Sequence, residues 1–180
     1  MVKKTTENKA IFLDRDGVIN EDTGYLFRIA DFKFIEGIFD VCLYLQQLDY
    51  NIIIISNQSG ISRGYYTEND YHKLTKWMLG QFSDNSIKIL DTFYCPHIPE
   101  SLCDCRKPKP GMFLDAKNQY NIDMEKSWMI GDLESDIKAA NHAGISNTIL
   151  IRSSHLADES NSNSKFIVDS IIQIKKLINL

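Results

Sequence analysis

No stretch of this chain is apolar for long enough to cross a bilayer. The longest aliphatic run, Ile52 to Ile55, covers 4 residues, against the roughly 20 that a spanning helix needs. The opening segment, MVKKTTENKA, is polar and leads into only three large apolar residues before Asp14, so it does not read as a signal peptide. Basic residues are not in excess either. The net charge is −4 and the pI near 5.5, so nothing favours a polyanion such as nucleic acid as partner. A small phosphorylated substrate stays open, because it needs a few placed cations and not a basic surface. Cysteines are scarce, 4 in 180 residues, and with no export signal they do not suggest a disulfide framework. No internal repeat, linker or second domain is visible. A cytoplasmic monomer folding as one domain over residues 1–180 is expected, with no membrane partner.

What is present suits a soluble core: 43% of the residues are hydrophobic and 24% charged. Short apolar runs recur at 10–13, 51–56, 90–95, 127–132, 147–151 and 165–170. They are partly β-branched and do not alternate, which suits strands buried on both faces of a parallel sheet. Helical patterns lie between them. Residues 37–50 put Ile38, Val41, Cys42, Leu45 and Leu48 on one stripe. Thr67 and Asp70 stand at capping-box spacing before a second helix. Pro110 suits the first turn of a third, and Gly144 the end of a fourth. Strand and helix alternate, so the expected fold is α/β: a Rossmann-like three-layer sandwich around a central parallel sheet. Residues 17–36 read as a flap or hairpin over the first strand end, and 152–164 as a polar loop.

Ligands of open α/β sheets bind beyond the carboxyl ends of the strands. The first run delivers Asp14 and Asp16 there, and the second Ser56, Asn57 and Gln58. The third is followed by CRKPKPG, the fourth by Gly131, Asp132 and, one turn on, Asp136. Three carboxylates, a hydroxyl and a lysine would meet around one point. Mg²⁺ takes one or two protein carboxylates and leaves room for water and phosphate, a task that Asp14 and Asp132 suit. Taken singly, each motif has a plain reading: D-x-D as a turn, Asp132 and Asp136 as acids at a helix N-terminus, Arg106 and Lys107 as a solvated basic pair.

Three of the four cysteines crowd into eleven residues. Cys95, His97, Cys103 and Cys105 follow C-x-H…C-x-C, and three thiolates with one imidazole make a closed, structural Zn²⁺ site. The alternative is free thiols beside a surface histidine. Cys42 falls on an apolar stripe and reads as core; His72, His142 and His155 read as solvent-facing or packing residues.

In order and spacing, DRDGVIN, SNQSG, CRKPKPG and GDLESD resemble the four motifs of haloacid-dehalogenase (HAD) superfamily phosphatases. More narrowly, NEDTGY, SNQSGISRGYYTE and the C-x-H/C-x-C loop resemble the D-glycero-D-manno-heptose-1,7-bisphosphate 7-phosphatases, over about residues 10–152. The resemblance implies a HAD fold without a cap domain, closed instead by the 17–36 flap and the 95–105 zinc loop. It implies Asp14 as nucleophile and Asp16 as general acid, then base, both on one side of the chain with Arg15 pointing away. Mg²⁺ would be held by Asp14, Asp132 and the Asp16 carbonyl, with Asp136 behind them. Ser56, Asn57 and Lys107 would stabilise the phosphoryl group. Arg106 would recognise the substrate, and Asp22, Thr23, Gly24, Tyr25, Gln58 and Ser59 match segments contacting the sugar or its second phosphate. Two departures touch that recognition: Leu133 replaces a commonly basic residue, and the segment from His97 to Cys103 is short. The expected reaction is hydrolysis of the C7 phosphate of a heptose 1,7-bisphosphate. The runners-up are a histidinol-phosphate phosphatase and, outside enzymes, a zinc-stabilised binding module.

Overall fold

The computed structural model describes residues 8–152 and 162–178. Within them six strands form one parallel sheet: β1 (Ala10–Leu13), β2 (Asn51–Asn57), β3 (Ile89–Cys95), β4 (Trp128–Gly131), β5 (Asn147–Ile151) and β6 (Phe166–Val168). Their order is β3-β2-β1-β4-β5-β6. The chain therefore winds outward from β1 in one direction through β3, then returns to β1's other side with β4. That reversal is a topological switch point, where the strand ends splay and leave a crevice.

The strands do alternate, but between two cores and not between core and water. Ile11, Leu13, Ile52 and Ile54 pack into one cluster; Ala10, Phe12, Ile53 and Ile55 pack into the other. The first cluster takes the buried faces of α1 (Ile38–Gln47) and α2 (Glu68–Asp84), and the second those of α3 (Gly111–Tyr120) and α4 (Glu134–His142). A strand buried on both sides needs apolar residues at every position, which is why its pattern reads as a continuous run. The short C-terminal helix α5 (Ile174–Leu177) adds Ile174 to the first core.

Local chemistry sets the helix ends. The Thr67 hydroxyl accepts from Asp70 N while the Asp70 carboxylate accepts from Thr67 N, a closed capping box. Pro110 is the N-cap of α3, one position earlier than expected; Gly144 follows the α4 C-cap with φ +94°. Leu48 lies past the end of α1 and is only half-buried.

Residues 17–36 form a compact flap of hairpin type. Glu21 N donates to Lys33 O and Ile35 N to Ile19 O, both at 2.9 Å, around an Asn20–Phe34 bridge. Phe32 and Phe34 meet Trp77 of α2, and Phe34 meets Phe39 of α1. The aromatic residues without a clean period are thus anchors that tie the flap to two helices. Most of the expected 152–164 loop, with His155, lies outside the described residues, as do residues 1–7. No helix among the described residues is long and apolar enough to cross a membrane.

Candidate active site and metal loop

Sheet register brings the acids together. Leu13 pairs with Ile54 on one side and Ile130 on the other, and Asp14 N donates to Ile130 O at 3.0 Å. One residue past that level stands Asp14, and Asp132 follows β4 directly. Asp14, Asp132 and Asp136 place carboxylate oxygens within 4.8 Å of one another, all buried. Lys107 Nζ reaches in from the loop before α3, 2.8 Å from Asp14 Oδ1, 2.7 Å from Asp136 Oδ1 and 2.9 Å from Ile55 O. Asp136 Oδ2 accepts from Leu133 N and so also caps α4. Gly17 keeps the space open: with φ +85° it turns the chain, and a Cβ there would overlap the Asp132 carboxylate.

This packing leaves negative charge in excess. Burial pushes Asp14 up from the usual carboxylate range to about 7, with Lys107 opposing and Asp136 adding to the rise. Burial, then the charges of Asp14 and Asp136, push Asp132 up to about 8. Burial alone would lower Lys107, but Asp136 and Asp14 outweigh it and hold the ammonium above its ordinary value. Asp132 Oδ1 is buried with no hydrogen-bond partner. Three carboxylates against one ammonium, with an orphaned oxygen between them, are a donor set that fits a hard divalent cation.

Asp14 and Asp16 both line a cleft of about 510 Å³ at the sheet's carboxyl edge, with Asp22, Gly24, Tyr25, Ser56, Asn57, Gln58, Ser59, Arg106 and Lys107. Thr23 is not among these; it faces a neighbouring hollow of the flap. Arg15 does not point away. Its side chain is 2% exposed and folds back on Asp16 through Nε at 3.2 Å and Nη2 at 2.8 Å, and Nη2 also donates to Leu26 O. The strand has ended at Leu13, so the alternation that would turn Arg15 outward no longer applies. Asn57 spends its carboxamide on the backbone of Lys107, donating to its oxygen at 3.2 Å and accepting from its nitrogen at 3.1 Å. It thereby fixes the lysine. Tyr66, within the GYYTE segment, also lines the cleft; nothing in the sequence marks it, because its partners are set by folding alone.

Next to the cleft, Cys95, His97, Cys103 and Cys105 converge. Cys95 Sγ lies 3.4 Å from His97 Nδ1, 3.7 Å from Cys103 Sγ and 3.1 Å from Cys105 Sγ, and His97 Nδ1 is 3.3 Å from Cys105 Sγ. Metal–ligand bonds of about 2.0–2.3 Å at tetrahedral angles put neighbouring ligand atoms roughly 3.5–3.8 Å apart. Three of the observed spacings are tighter than that, so the four donors converge as a closed site of sulfur and nitrogen ligands does and would spread slightly around a metal. Cys42 is fully buried in the first core, and its thiol is pushed up to about 12 by that burial. His72 and His142 are exposed. Arg106 Nη1 donates to His97 O at 3.1 Å, so this cleft-lining cation is tied to the cysteine–histidine loop.

Comparison with known proteins gives the family and the fold. Residues 104–174 match the HAD-hydrolase-like family. The chain is 44% identical over 170 residues to the D-glycero-beta-D-manno-heptose-1,7-bisphosphate 7-phosphatase of Vibrio cholerae, covering 90% of this chain and 91% of that one. It is 48% identical over 145 residues to the D-glycero-alpha-D-manno-heptose-1,7-bisphosphate 7-phosphatase of Campylobacter jejuni, covering 81% and 83%. The crystal structure of D,D-heptose 1,7-bisphosphate phosphatase from B. bronchiseptica, complexed with magnesium and phosphate, superposes with a TM-score of 0.82 at 26% identity, covering 95% of this chain and 98% of that one.

Proposed function

The chain belongs to the D-glycero-D-manno-heptose-1,7-bisphosphate 7-phosphatases, a family of HAD hydrolases, and from that premise we propose a mechanism and site for removal of the C7 phosphate from a heptose 1,7-bisphosphate. The enzyme is a phosphomonoester hydrolase. The observation that carries the mechanism is the buried convergence of Asp14, Asp132 and Lys107 at the switch point.

Asp14 attacks phosphorus in line with the C7 oxygen. The phosphorus–oxygen bond to the sugar breaks, an aspartyl-phosphate forms, and the electron pair leaves on the sugar oxygen. Asp16 gives that oxygen its proton, and heptose 1-phosphate departs. Asp16, now a carboxylate, takes a proton from water as the water attacks phosphorus; inorganic phosphate leaves and Asp14 is regenerated. Lys107 and the Ser56 hydroxyl meet the charge that grows on the phosphoryl oxygens. Asp14, Asp132 and the Asp16 carbonyl would hold Mg²⁺, which supplies charge neutralisation and orientation of the phosphoryl group. Cys95, His97, Cys103 and Cys105 would hold Zn²⁺, closed and structural, and so fix Arg106 and Lys107. Asp22, Gly24, Tyr25, Ser59 and Arg106 form the sugar-facing wall. We assign all of this to a single domain working as a cytoplasmic monomer.

The deciding experiment is phosphate release from the alpha and beta heptose 1,7-bisphosphates, with histidinol phosphate alongside. Turnover of a heptose bisphosphate to its 1-phosphate, seen by ³¹P NMR, is expected. Preference for histidinol phosphate would overturn the substrate assignment. Asp14→Asn should fold normally and lose at least about a thousandfold in turnover. Unchanged release would reject the nucleophile.

A further inference from the structure

Asp16 is held by more donors than a freely moving acid needs. Its Oδ1 accepts from Asn20 Nδ2 at 3.0 Å, and Arg15 spans both oxygens. A further bond arrives from Gln58, whose own orientation is set at a distance. Tyr66, 6% exposed, stacks on Phe27 of the flap with ring centroids 5.4 Å apart and 15° between planes. Gly60 makes room for that ring, because a Cβ there would overlap it. The Tyr66 hydroxyl donates to Gln58 Oε1 at 2.6 Å. A carboxamide oxygen only accepts and its nitrogen only donates, so the Asp16 carboxylate demands the nitrogen end of Gln58 and the Tyr66 hydroxyl, by donating, holds the oxygen end away from it. Both hydrogens on Nε2 then fork, one to Asp16 Oδ2 at 3.0 Å and one to Ser56 Oγ at 2.7 Å. All of the Gln58 carboxamide is spent on protein groups, and the residue is 3% exposed. Such a buried, fully satisfied chain makes orientation all-or-none: reversing the amide would set its oxygen against a carboxylate.

We infer that Tyr66 and Gln58 are positioning residues that aim the Asp16 carboxyl at the leaving oxygen, Tyr66 acting only through the orientation it imposes on Gln58. Gln58 is then a lever on the acid rather than a contact for the sugar. The inference rests on Asp16 being the general acid, as proposed above.

Leaving-group dependence tests it. An alkyl phosphate such as the heptose bisphosphate must be protonated as it departs, whereas 4-nitrophenyl phosphate releases a stable anion and needs no acid. In kcat/KM, which reports the steps through formation of the aspartyl-phosphate, Tyr66→Phe should lose about tenfold on the alkyl substrate, the effect of one buried hydrogen bond. It should lose less than about twofold on the aryl substrate. Inhibition by inorganic phosphate should stay unchanged. Equal losses on both substrates, or none on either, would overturn the inference. Asp16→Asn serves as reference: discrimination there with none in Tyr66→Phe sinks the relay alone. No discrimination in Asp16→Asn sinks the acid assignment and the relay with it. Should Tyr66→Phe be insoluble, Gln58→Met is compared instead: loss of its bond to Ser56 falls on both substrates, an excess loss on the alkyl substrate supports the inference, and no excess overturns it.

Discussion

At the scale of single residues, burial and mutual repulsion without a cation favour the protonated forms of Asp14 and Asp132 to higher pH than the value near 4 at which an unfolded chain would lose those protons. Both are raised, to about 7 and about 8. The stability they contribute without a cation is therefore present at low pH and disappears as the pH climbs through 7 and 8. A chelated sample should melt at progressively lower temperature from about pH 5 to pH 8 and level off above that, and added Mg²⁺ should blunt the decline. The same protons compete with the ion, so Mg²⁺ affinity measured by calorimetry should rise with pH, by up to about a hundredfold per unit below pH 7 where both protons are displaced and up to about tenfold per unit between pH 7 and 8. A pH-independent affinity would contradict this. The acids themselves were legible, because D-x-D after an apolar run and G-D before a helix have few other uses together. Arg15, Asn57 and Gln58 were not. Their hydrogen bonds run to Asp16, Lys107 and Tyr66, partners that neither periodicity nor spacing can supply.

At the scale of elements, the metal loop is rooted at both ends. Cys95 closes β3 and belongs to the second core, and Gly111, where α3 begins, is packed so tightly on Asp104 that a Cβ would overlap the backbone. Between these roots Arg106 and Lys107 hang on the loop's shape. Removing the metal proposed for this loop, or replacing Cys105 by serine, should therefore raise KM and lower kcat together, with kcat/KM falling roughly 10- to 100-fold, the scale of losing an outer support of a site. Limited proteolysis should find new cuts between residues 96 and 106. Unaltered kinetics in fully metal-free protein would show that the thiols carry no structural duty. Strand positions were readable to within a residue or two, since β-branched runs such as Ile52 to Ile55 have little other use. The flap was readable only as irregular, because Phe32 and Phe34 take their meaning from Trp77 on another element.

Across the whole molecule, strand order and its reversal at β1 gather residues from positions 14 to 136 along one edge of the sheet. Alternating strands and helices announced that architecture, since right-handed crossovers leave few other ways to wind the chain. Among the described residues nothing folds over the cleft as a separate cap: its walls are the flap, stacked through Phe27 on Tyr66, and the loop after β3. A mouth framed by walls already in place asks for no swinging lid between one catalytic cycle and the next. Thickening the solvent with sucrose should then leave kcat where it stands and slow encounter only as far as diffusion does. A kcat that tracked viscosity would expose a hidden hinge.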